Sequence, residues 1–141
     1  MHNYRFKRQT SRIGIFAGVT ADALRQTTPP VRADHISDRV WLDTSRVTDG
    51  FRGTSLQLSR NEVGWLRTGL RHVADDITRA EATGHIIVVI HALEIVEVDY
   101  LEAALAPAIA GWAALEFGFT NRPAEIRLDD QTSEYVVCWT G

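Results

Sequence analysis

The 141-residue sequence is poor in several residue types, and each shortage removes a class of structure. It has one cysteine, Cys138, so neither an internal disulfide nor a Cys-x-x-Cys metal pair can form. Its longest apolar run, residues 86–90, falls far short of the ~20 residues that a membrane-spanning helix needs. The basic start, up to Arg12, is not followed by the apolar core of a signal peptide, so a cytoplasmic location with no membrane contact is expected. Lysine is nearly absent: Lys7 is alone among fifteen basic residues. Such arginine bias often follows codon composition, and it also suits bidentate contacts to anions.

Catalytic signatures are missing too. No serine sits in a G-x-S-x-G elbow, and neither a P-loop, a G-x-G-x-x-G turn nor an H-E-x-x-H helix occurs. The five histidines (His2, His35, His72, His85 and His91) include no pair at helical i,i+4 spacing. Adjacent carboxylates such as Asp75-Asp76 point about 100° apart on a helix and make a poor dyad. Glu97 and Asp99 share a strand face that would suit a cation, but Asp99 fits a helix cap better. Cys138, in an apolar strand, reads as a buried, inert thiol. The expectation is a non-catalytic protein with no cofactor and no metal.

What remains is the composition of an ordinary single globular domain, 45% hydrophobic and 23% charged, with a net charge of −3. That net charge conceals a division. Residues 1–72 carry twelve basic and six acidic side chains, whereas residues 73–141 carry three and twelve.

Periodicity supplies the elements. Ile13, Ile15, Ala17 and Val19 alternate as in a half-buried strand, and residues 4–7 extend or pair with it. Residues 21–25 suit a single helical turn, and residues 26–38 a polar loop. Short strands are expected around Val40 and Leu42 and, after the Asp49-Gly50 turn, over residues 51–58. Ser59 and Glu62 form a capping box before the stripe Val63, Leu66, Leu70, Val73 and Ile77, which predicts a long helix. The β-branched run 86–90 predicts a central strand covered on both faces. Asp99 and Glu102 resemble a second helix start, followed by the stripe Leu101, Leu105, Ala108, Trp112 and Leu115. Pro107 is expected to kink that helix, and Gly111 to let it approach a neighbour closely. Residues 125–128 and 135–139 read as a terminal hairpin. The predicted fold is α/β (α+β): a two-layer sandwich with a βαβ crossover and a mixed sheet covered on one face by two helices.

Candidate binding residues follow from charge. Arg5, Lys7, Arg8 and Arg12 cluster with Tyr4 and Phe6, and cations interleaved with aromatics suit RNA. Arg60, Arg67 and Arg71 lie on the polar side of the first long helix. Trp65 falls just off its stripe, half exposed, as a partner contact would be.

Residues 63–117 resemble domain IV of elongation factor G and of the ribosomal-protection proteins. The matching pieces are Gly84, Ile87-Val88, the segment Val98-Asp99-Tyr100-Leu101-Glu102-Ala103-Ala104, and the later Ala113-Ala114 and Glu116. Residues 7–12 are similar to that family's K-Q-T/S-G-G-R loop, although the glycine pair is absent. The resemblance implies a ribosomal-protein-like βαβ fold and contact with the ribosome or RNA. It implies no nucleotide chemistry, since nothing in these residues resembles a GTPase. The expected function is a binding module whose basic half meets RNA, the ribosome or an acidic protein surface. Two alternatives stand beside it: a protein-interaction or immunity-type protein that acts as a homodimer or with one partner, and a small-ligand binder or enzyme with a pocket under residues 26–38.

Overall fold

A computed structural model describes residues 1–9, 14–95 and 98–139. Two strands open the chain, β1 (His2–Gln9) and β2 (Gly14–Gln26), followed by the short strands β3 (Asp34–Ser37), β4 (Val40–Asp43) and β5 (Thr48–Asp49). Helix α1 (Arg60–Ala80) leads to β6 (His85–Glu94), and a 3₁₀ turn at Glu102–Ala104 leads into α2 (Leu105–Phe117). Strands β7 (Ala124–Asp129) and β8 (Glu134–Trp139) form a hairpin apart from the main sheet. The main sheet runs β1-β2-β6-β4-β3, with β5 beside β4 against the same edge of β6. Strands β4 and β5 run parallel to β6 and the other pairs antiparallel, so α1 is the helix of a parallel crossover within a mixed sheet.

Strand β6 is central because its side chains are apolar on both faces. Ile86, Val88 and Ile90 are fully buried toward the helices, and Ile87 is buried on the reverse face. Pairing with β2 slips between Thr20 and Ala21, so Leu93 rather than Ala92 continues the buried row.

Helix α1 begins with the predicted capping box: the Ser59 hydroxyl accepts from the Glu62 amide, and the Glu62 carboxylate accepts from the Ser59 amide. Its predicted stripe is buried at Leu66, Leu70, Val73 and Ile77. A second row, Trp65, Gly69, His72 and Asp76, follows the same helical spacing and meets α2 and the hairpin. At Gly69 an added Cβ would stand 2.3 Å from the Ala106 carbonyl oxygen, so the two helices touch backbone to side. Gly111 of α2 likewise leaves room for the Tyr4 ring, 2.2 Å from where its Cβ would be.

Several expectations are corrected. Residues 21–25 are no helical turn. They extend β2, whose pairing with β6 supplies hydrogen bonds that an isolated turn would lack. Residues 51–58 are not a strand, because Gly53 takes a positive φ of 73° and the Asp49 carboxylate caps the amides of Phe51 and Arg52. Only Ser55 bridges back, to Thr48. Asp99 caps no helix: its carbonyl accepts from the Phe16 amide, and Glu102 accepts instead from the Ser59 hydroxyl. Helix α2 starts at Leu105, so Pro107 lies in its first turn, where an amide would have no helical partner, and the expected cost of a kink does not arise. The α2 stripe is also too narrow a description. Every residue from Leu105 to Ala114 is buried, while Leu115 is 51% exposed. Trp112 is fully buried and donates to the Ala21 carbonyl at 3.1 Å, which ties α2 to the sheet. Asp76 is buried and pairs with Arg79 and Arg122.

The hairpin packs on the helices. Trp139 stacks on His72 with ring centroids 3.9 Å apart, and Arg122, just before β7, pairs with Asp76 at 3.0 Å. Ile126 and Trp139 complete the apolar contact. Cys138 is half-buried on β8 rather than enclosed.

Two outcomes follow. Gly69→Val forces a side chain into the α2 backbone and should destabilise the fold by about 3 kcal/mol, roughly 10 °C in Tm by calorimetry. His72 is held below its ordinary pKa, first by burial and then by the Arg122 charge, with Asp76 opposing. Its Nε2 is buried without a protein partner among the described residues. The unfolded chain therefore takes up the proton first. Stability is full above the ordinary value of 6.5 and falls as pH drops below it. Denaturant midpoints measured from pH 8 to pH 5 should show that fall, and His72→Phe should flatten it.

Candidate functional site

Strand β1 forms one edge of the sheet, and its alternation sorts the basic residues. Arg5 pairs in register with Gly18 and Lys7 with Phe16, so both point to the face that the helices leave uncovered. Phe6, opposite Ala17, is buried toward α2. Arg8 lies with its guanidinium 4.3 Å from the Phe6 ring centroid and donates to the Lys7 carbonyl at 2.7 Å.

Glu94, at the end of β6, is the buried acid of this region, at 6% exposure. It accepts from Arg5 Nε at 2.9 Å and from Asn3 Nδ2 at 2.6 Å. Two glycines give it space: an added Cβ at Gly18 would be 2.9 Å from its Cβ, and one at Gly50 would be 2.5 Å from its Cγ. The Gly50 amide donates to the Leu93 carbonyl at 2.8 Å. The Asp49–Gly53 turn is thus seated on the end of β6, and it carries Phe51 out toward β1.

The result is a cleft of about 550 Å³. Arg5, Lys7 and Arg8 line one side, with Phe16 and Phe51 as aromatic surfaces and Glu94 and Asp99 as acids. The Phe16 and Phe51 ring centroids are 6.4 Å apart, and Phe51 is 56% exposed. The Lys7 ammonium lies 5.9 Å from the Phe16 centroid. Lys7, Arg8 and Asp99 form no ion pair among the described residues. Arg12 lies outside the described residues, as does Glu97.

The helix residues expected to join this group do not. Arg60 and Trp65 line a second groove, about 570 Å³, between the start of α1 and the hairpin, where Glu102 and Glu134 accompany them. Trp65 is half-buried there. Arg67 turns the other way, to Asp34 of β3 at 3.4 Å, and Arg71 is exposed on the outer side of α1. Since α1 packs against β3 and β4 while β1 lies at the opposite sheet edge, the predicted basic residues divide into two separate groups. Part of the uneven charge is consumed internally: Arg5–Glu94, Arg25–Glu81 and His2–Glu116 join the basic half to the acidic one.

Sequence reasoning missed Phe51 and Phe16, and weighed Asp99 only as a helix cap or a cation ligand. Phe51 carried one usable signal, an aromatic side chain immediately after an Asp-Gly turn. The hollow beside residues 26–38 is lined by Val31, Arg32, Asp34 and Asp43, and no histidine borders it. Among the described residues no group of three His, Cys, Asp or Glu side chains is placed to hold a metal ion, and no helix is long and apolar enough to cross a membrane. Comparison of the chain with models of known protein families gave no match, and comparison with curated proteins gave none either.

Proposed function

We propose that the chain is a non-catalytic binding module that contacts RNA, the ribosome's included, through the basic edge of β1. The observation that carries this reading is the cleft itself. Lys7 stands there without a carboxylate partner among the described residues, beside an exposed aromatic ring, while Arg8 borders the cleft with its guanidinium laid on the Phe6 ring. Cations free to meet phosphates and a ring free to stack are the two parts that sequence-tolerant RNA contact uses. The resemblance of residues 63–117 to the translation-factor domain supports the same reading, and the parallel βαβ unit is consistent with it. Arg60, Arg67 and Arg71 are not part of this surface.

A second reading, a protein-interaction module working as a homodimer or with one partner, draws on the uncovered face of the sheet. Leu24 is 53% exposed there, and Trp41 stacks on His35 with centroids 4.2 Å apart. Retention of one stoichiometric protein, with no salt-sensitive nucleic-acid binding, would favour it.

Filter binding with ribosomes or RNA at rising salt tests the first reading. Affinity should fall as salt rises. The Lys7→Ala variant should bind more weakly and lose about 0.7 from the slope of log K against log salt, one phosphate contact's worth. Absence of salt-sensitive binding would sink it.

A further inference from the structure

Resting on that reading, we infer that the β1 cleft takes single-stranded RNA with one base unstacked against Phe51, and that Asp99 selects guanine at that position. Phe51 is presented by a braced turn: its amide donates to the Asp49 carboxylate at 2.8 Å, and the neighbouring Gly50 amide is bound to β6. A ring held this way loses little freedom when a base lies on it. The faces of paired bases are occupied by their neighbours in a duplex, so only an unpaired base reaches the ring.

The acids in the cleft narrow the choice further. A site for phosphate alone would exclude carboxylates, yet two line this one. Glu94 is already engaged by Arg5 and Asn3. Asp99 is not: its backbone is fixed by the Phe16 amide, and its carboxylate lies over Gly14 with no hydrogen bond or ion pair among the described residues. An ionised carboxylate only accepts hydrogen bonds. The ligand must therefore present an anion toward Lys7 and N–H donors toward Asp99. Guanine alone among the RNA bases sets two donors, N1–H and the N2 amino group, side by side on its pairing edge. Uracil sets one donor between two carbonyl oxygens, which a carboxylate repels. The same repulsion disfavours an acidic peptide in this cleft.

Fluorescence anisotropy with labelled eight-nucleotide RNAs tests this: an all-uridine strand, the same strand with one central guanosine, and an eight-base-pair duplex. The guanosine strand should bind about fivefold tighter than the all-uridine strand, and the duplex weakest. Phe51→Ala should weaken both single strands about tenfold, while Phe51→Tyr, which keeps a ring, should not. Asp99→Asn should strengthen all-uridine binding, because the repelling charge is gone, and abolish the guanosine preference. Equal binding of duplex and single strands with no effect of Phe51→Ala would overturn the inference while leaving the RNA reading intact. A guanosine preference that survives Asp99→Asn would overturn the role of Asp99. Binding of none of the three RNAs at low salt would overturn the RNA reading itself.

Discussion

The structure depends on burying α2 from every side. Residues 105–115 contain no charged side chain, so this helix has no face that water would solvate well. One sheet can cover only one side of a helix. The remaining sides need α1, packed through Gly69 against Ala106, and the tip of Tyr4, fitted into the space at Gly111. The small residues of α2 make this possible, since alanines and glycine let backbones approach within the reach of dispersion contacts. They also make it unforgiving, because a contact set by a backbone carbonyl cannot relax by turning a side chain.

That demand decides where a site can be. Both helices and the docked hairpin are committed to one side of the sheet, and the reverse side is left without a helix. On that reverse side β1 and β2 lie at the edge, and Arg5, Lys7 and Phe16 point outward by strand alternation alone. Glu94 enters the same face because β6 bulges before its end and then meets Gly18 in register. The cleft is therefore a by-product of how the core is closed. Its rim is supplied by the Asp49–Gly53 turn, which can sit so near only because Gly50 has no side chain to strike Glu94.

What was legible in the sequence was local. The capping box at Ser59 and Glu62 and the 3–4 spacing of leucines set α1, the β-branched run set β6, and the last two strands and their turn set the hairpin. The unreadable parts were relations between distant residues. Nothing local marks Gly69; its approach to Ala106 explains it. Nothing local marks His72 and Asp76 as a second contact row either, since Trp139 and Arg122 come to them from the other end of the chain. Residues 51–58 were expected as a strand after the Asp49-Gly50 turn, but an Asp carboxylate that binds two successive amides prolongs the turn instead. In the site, Lys7 and Arg8 were legible as a basic cluster. Phe51 and Asp99 were not, since each reaches the cleft through contacts with β2 or β6.

The division of charge along the chain gains a physical meaning in this arrangement. Among the described residues Arg5–Glu94 and Arg25–Glu81 pair charge across the basic and acidic halves, and the first of them meets a buried carboxylate. The Arg5–Glu94 pair ties the edge strand to the end of β6, with the carboxylate buried and the guanidinium more than half exposed. Arg5 is used in this way and is a poor choice for ligand contact, because drawing it toward a phosphate would leave Glu94 buried with one partner fewer. Lys7 has no such obligation to a carboxylate among the described residues. The net charge of −3 thus bears little on anion binding: what counts is the cation of Lys7 at the β1 edge, within a Debye length of whatever enters the cleft.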